Sequence, residues 1–251
     1  MLRISYYPMI VLFTIILTSG ISSAAKITDD LVGYWPLDGN VKDAIAGLDG
    51  KLVGGANWTE KGKIKKAVEF DGSTGYVQIN DFELKTDTIT SVAWINGWRQ
   101  SAWTGIVVGR GATPFWMGFT DQDTLSYVWN NDSDKTWGWR NGPKIPQDEW
   151  ALVAIAIEPT KATAYVYTDA SGLKSSVNKI DHIQQTVQNL KFGWDECCGA
   201  NVRHFKGIID EVLIYKRALT EDDIKTIATK GISALEPKGK LSTTWGELKN
   251  K

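Results

Sequence analysis

The sequence of 251 residues contains only two cysteines, two histidines and three methionines. The cysteines are neighbours, Cys197 and Cys198. A bond between them makes a strained eight-membered ring and a rigid turn, not a link between distant segments; the alternative is two thiols in a loop. Neither sign of charge dominates, with 28 Lys and Arg against 29 Asp and Glu, so neither nucleic acid nor an anionic membrane is an expected partner. His182 and His204 are the only histidines and no Gly-x-Ser-x-Gly elbow occurs, which makes a serine-hydrolase triad hard to assemble. No apolar run reaches the ~20 residues needed to span a bilayer. The longest, from about Met9 to Leu17, follows Arg3 and precedes Ser22-Ser23-Ala24-Ala25. That order is the order of a secretory signal. Residues 1–25 are therefore expected to be cleaved, leaving a secreted or extracytoplasmic protein (periplasm or cell surface) with no membrane span.

What the chain has in quantity is tryptophan, 12 residues in all. Short segments rich in Val, Ile, Trp, Tyr and Phe alternate with clusters of Gly, Asn and Asp, with little helical periodicity before residue 218. This predicts an all-β, two-sheet antiparallel sandwich. Strands are expected near 31–37, 67–71, 75–79, 89–97, 105–109, 115–120, 124–130, 150–158, 161–168, 189–194 and 206–215. Short turns at 121–123 and 159–160 force hairpins. Both alternating sets in 150–158 are apolar or small, as in a strand at the middle of a two-layer core. One short helix is signed by Thr220 as N-cap, Asp223 as its capping-box partner and Gly231 as stop. The expected domain covers 26–231, and the tail 232–251 either packs on it or extends from it.

Trp35, Trp94 and Trp150 lie in or beside apolar strands and are expected in the core. Trp98, Trp103, Trp137 and Trp139 fall instead in loop-like segments among Asn130, Asp132 and Arg140. Aromatic faces interleaved with planar polar groups suit a sugar site. In an extended strand Trp137 and Trp139 would share a face about 7 Å apart, near the length of one sugar ring and its linkage. The alternatives are that the loops fold back and plug the open end of the sandwich, or that they contact a protein. The cysteine pair either borders the same site or serves only as a turn device.

Six ordered motifs resemble one family: GYWPLDG (33–39), the glycine-rich 41–58, KAVEFDGSTGYVQI (66–79), TITSVAWING (88–97), DEWALVAIAI (148–157) and GIIDEVLIYKRALTEDDI (207–224). Together they resemble the laminin-G-like, concanavalin A-like lectin/glucanase jelly rolls of bacterial exported proteins. The resemblance implies a jelly roll and a structural calcium where the first strand, the Phe-Asp-Gly hairpin and the last strand meet. Mapped onto the matching motifs, its ligands are Asp38, Asp71 and Asp210; each is also explained as a turn or strand-end residue. The chain departs from the family at 43–47, which puts that loop's usual shape in question. Glucanases of this class carry closely spaced acids along one strand for a retaining mechanism, and no strand drawn here has that spacing. The expectation is a secreted, non-catalytic, lectin-like module that binds a glycan or polysaccharide. The alternative is an adhesion or envelope-scaffold domain that binds an extracellular protein, with a glycan hydrolase third.

Overall fold

The computed structural model describes residues 26–110, 114–129, 136–199 and 202–232. The segment read as an export signal, Asn130 and Asp132 of the expected site, and the tail from 233 onward lie outside the described residues.

Two antiparallel sheets face each other, as the alternation of the sequence predicts. The larger runs in the order β13 (Gly172–Asn178), β12 (Lys161–Thr168), β11 (Ala151–Glu158), β7 (Ile89–Arg99), β16 (Phe205–Tyr215), β4 (Ala67–Asp71) and β3 (Ala56–Thr59), with β1 (Leu31–Trp35) also on β16. The smaller runs β10 (Leu125–Val128), β9 (Pro114–Phe119), β8 (Gly105–Arg110), β15 (Leu190–Phe192), β5 (Tyr76–Ile79) and β2 (Gly50–Val53). A two-stranded piece pairs β6 (Glu83–Thr86) with β14 (Gln185–Gln188). Both expected hairpins form, β9 with β10 and β11 with β12. The strands absent from the sequence reading are β2, β3, β6, β13 and β14. Their residues are mostly half-buried or exposed and polar, so they carry no apolar run to mark them.

Strand alternation sorts side chains into two apolar clusters. Val153, Ile155 and Ile157 of β11 enter the core between the sheets, with Phe115, Met117 and Phe119 of β9. The opposite set, Leu152, Ala154 and Ala156, packs with Trp94, Leu213 and the buried Ile224 and Ile227 of helix α1 (Glu221–Lys230). The second face of β11 is therefore covered by a helix. The expected core between two sheets is present, and the helix on the outer face accounts for apolar residues on both faces of the strand. Thr220 caps α1 with the full capping box to Asp223. Ile232, placed at the start of the tail, is buried in the same cluster.

The unusual 43–47 loop has a defined shape. The Asp43 carboxylate accepts N–H bonds from Tyr34 (2.8 Å), Ile45 (3.1 Å), Ala46 (2.8 Å) and Leu48 (3.2 Å). Leu48 O in turn accepts the indole N–H of buried Trp35 at 2.9 Å. An Asp43→Ala variant leaves these donors without their acceptor and should lose about 2–3 kcal/mol of stability, read by denaturant unfolding.

β16 pairs with β7 on one side and passes from β4 to β1 on the other, through a bulge at Glu211 and Val212, just after Asp210. Glu211 takes a left-handed φ of 51° there. Asp210 accepts N–H bonds from Ile64 and Glu211, each at 3.0 Å, and Glu211 accepts the Tyr34 hydroxyl at 2.6 Å. Burial pushes both carboxyls up to about 7, against the opposing pull of these hydrogen bonds; Asp38 adds repulsion and Lys65 relieves part of it at Glu211. Between about pH 4, where the unfolded carboxyls ionise, and about pH 7, the native state holds protons that the unfolded state releases. Stability should therefore fall as pH rises through that interval. Asp210→Asn should flatten the slope, measured as thermal midpoint against pH.

Candidate functional site

On β9 the residues between those of the core, Trp116 and Gly118, face away from the other sheet. Trp116 is level with Val108 of β8 and Val128 of β10. Glycine at 118 lets the indole lie along the sheet, since a Cβ there would sit 2.6 Å from its Cζ2. Although it is on the outer face, Trp116 is only 1% exposed. Loops cover it and leave a cavity of about 110 Å³.

The aromatic wall is built from three segments. Trp103 follows the β7–β8 turn, with ring centres 5.9 Å from Trp116 and 6.4 Å from Trp137. Its φ of 65° is left-handed, which for a bulky residue costs roughly 1–2 kcal/mol and is typical of ligand sites. Thr104 holds the turn by donating its hydroxyl to Ser101 O at 3.0 Å. Arg140 lies with its guanidinium 5.2 Å from the Trp103 ring centre and pairs with Asp121 at 2.6 Å.

The polar wall comes from β8 and the loop joining β15 to β16. Asp195, 1% exposed, accepts Nε of Arg110 at 3.0 Å and Nη1 of Arg203 at 2.8 Å. It also accepts a second N–H from Arg110 and the Cys197 backbone N–H. The loop is closed by a bridge between Trp194 and His204, whose rings stack at 5.2 Å. Cys197 and Cys198 form a vicinal pair that lines the cavity beside Arg203. The indole N–H of Trp116 has no acceptor among the described residues.

Of the expected site residues, Trp103 and Trp137 meet here and Arg140 supports Trp103. Trp139 does not. A tight turn over Thr136 to Gly138, closed by the Trp139 N–H on Thr136 O at 2.9 Å, turns its ring inward against Tyr127. Trp139 is 8% exposed and Trp137 is 41% exposed, so the shared face expected of an extended segment does not exist. Trp98 packs edge-on against Phe119 at 5.3 Å and borders a separate polar depression with Asn96, Gln100 and Lys206. Trp35 and Trp94 are core, and Trp150 is half-buried against the helix-side cluster. Trp116, Arg110, Asp195 and Arg203 were not foreseen. The available signal was a large aromatic alternating out of the core in PFWMGF.

The expected calcium ligands do not converge. Asp38 and Asp210 lie near each other at the bulge, where Asp38 binds Lys65 and the Lys66 N–H. Asp71 sits at the far end of β4, opposite Lys206, and accepts from Ser73, Thr74 and Gly75. These N–H and hydroxyl donors hold its carboxyl well below the usual range, although burial opposes them. Among the described residues no group of three or more acid, histidine or cysteine side chains is placed to hold a metal, so these three residues do not fit a single ion. No described helix is long and apolar enough to cross a membrane.

Residues 71–225 match the laminin-G type of the concanavalin A-like lectin/glucanases superfamily, and the chain belongs to that family. No curated protein matches by sequence. Among solved structures, domain 4 of AbnA, a GH43 extracellular arabinanase from Geobacillus stearothermophilus in complex with arabinotriose, is similar with a TM-score of 0.61. The two are 19% identical over 80% of this chain and 98% of that one. Trypanosoma rangeli sialidase, in complex with 2,3-difluorosialic acid, gives a TM-score of 0.57 at 14% identity, over 83% of this chain and 34% of the sialidase. The binding domain of Paraclostridial Mosquitocidal Protein 1 gives 0.54 at 15%, over 80% and 52%. At such identities the likeness is one of fold.

The two neighbouring tryptophans should separate cleanly in a stability assay. Trp139→Ala empties a core position and should cost about 3–5 kcal/mol. Trp137→Ala, at a half-exposed position, should cost under about 1 kcal/mol.

Proposed function

We propose that the protein is an exported, non-catalytic carbohydrate-binding module, with its site in the cavity between Trp103, Trp116 and Trp137. The observation that carries this reading is the convergence of three indoles with two guanidinium groups in one concave site on a sheet face. Indole faces stack on the apolar faces of a sugar ring, and planar polar groups pair with its substituents. The arabinotriose complex of the similar arabinanase domain supports the same reading. Export is supported by the order of charge, apolar run and small residues at 1–25, and by a vicinal cysteine pair that we read as oxidised.

The arrangement of carboxylates supports binding over hydrolysis. Glycoside hydrolysis by the common mechanisms uses two carboxyl groups flanking the bond to be broken. Among the described residues the cavity lining contains one, Asp195, and it is engaged by two guanidinium groups.

A panel of immobilised polysaccharides and glycans tests the reading. Binding is expected for at least one glycan. Trp103→Ala and Trp137→Ala should each weaken it about tenfold or more while leaving the thermal midpoint of the Trp137 variant within a few degrees. Undiminished binding by both variants would move the site elsewhere. Capture of an extracellular protein insensitive to added sugar would favour the scaffold alternative.

A further inference from the structure

We propose that the cavity selects an acidic sugar, one whose carboxylate lies against the free edges of Arg110 and Arg203; this rests on the carbohydrate-binding reading above. A neutral sugar presents hydroxyls, which need acceptors as well as donors. Among the described residues, the polar side chains of this cavity with groups left for a ligand are the donors Arg110 and Arg203.

The one carboxylate of its described lining, Asp195, is buried and bound on both oxygens. One oxygen accepts two N–H groups of Arg110 and the Cys197 amide, and the other accepts Arg203. Among the described residues each guanidinium is engaged on one side only, through Nε and Nη2 of Arg110 and through Nη1 of Arg203, and has further N–H groups to offer a ligand.

Charge leads to the same class of ligand. The described lining carries two cations and one anion. The neighbouring charges cancel: Lys191 pairs with Glu196 at 2.9 Å, and Arg140 with Asp121. Among the described residues one positive charge is left at the cavity. The planar guanidinium fork matches a carboxylate in geometry as well as in sign, and the indoles take the apolar face of the ring that bears it.

Calorimetric binding of the full chain to matched pairs tests this: polygalacturonate and its methyl ester, hyaluronan and its carboxyl-reduced form, and sialyllactose and lactose. In any pair that binds, the acidic member should bind at least about tenfold tighter. That advantage should shrink as salt is raised, a readout that needs no variant. Arg203→Gln should bring the two members within about twofold, whereas Trp137→Ala should weaken both. Equal affinity within every pair that binds would overturn the acid preference and leave the carbohydrate reading in place. Absence of binding by every member would overturn the acid preference if the protein binds another glycan of the panel, and both readings if it binds none.

Discussion

The architecture depends on the ladder between β7 and β16. These two eleven-residue strands lie at the centre of the larger sheet, and every other strand of that sheet attaches to one of them directly or through a neighbour. β16 keeps its partner on one side while exchanging β4 for β1 on the other, and the bulge at Glu211 and Val212, just after Asp210, absorbs the change in register. Such an extra residue bends a strand and raises its twist. Here it also places two acids inside the protein, where hydrogen bonds to the backbone and to Tyr34 hold them.

The candidate site stands on the other sheet. Trp116, Val128 and Arg110 come from strands, and Trp103, Trp137, Asp195, Arg203 and the cysteine pair come from connections. Three of these connection residues, Trp103, Cys198 and Arg203, have left-handed backbones. The Asp195 carboxylate joins the two sources by binding a strand arginine and a loop arginine together. It is fully covered, so its partners matter as much as its position. Removing either arginine takes away part of what compensates a buried charge.

The fold was legible in the sequence where burial leaves a pattern. Strands such as 67–71 and 161–168 were located to the residue because their neighbours on both sides exclude water. Edge strands such as β13 escaped because the same polar residues serve equally in a loop. The helix was legible because Thr220, Asp223 and Gly231 act locally. The site was legible in part. Trp103 and Trp137 stood out as aromatics among turn formers, but Trp139 was misplaced because one tight turn reverses the face that an extended strand would present. Arg110 is remote in sequence from Asp195 and Arg203, and only the closing of the 194–204 loop over β8 brings the three together. The family resemblance carried the overall fold but led Asp71 to be grouped with acids that it does not approach.

The division of the site between sheet and connections has an evolutionary consequence. Mutations at exposed positions of the turn before β8, the turn over 136–138 and the loop before β16 can reshape the candidate site while leaving the apolar residues between the sheets in place. Trp116, fixed by Gly118 beneath it, stays as a common platform. A lineage built on this plan can exchange ligands while keeping its folding determinants, and the divergence of sequence among proteins that share the fold is the expected trace of that freedom.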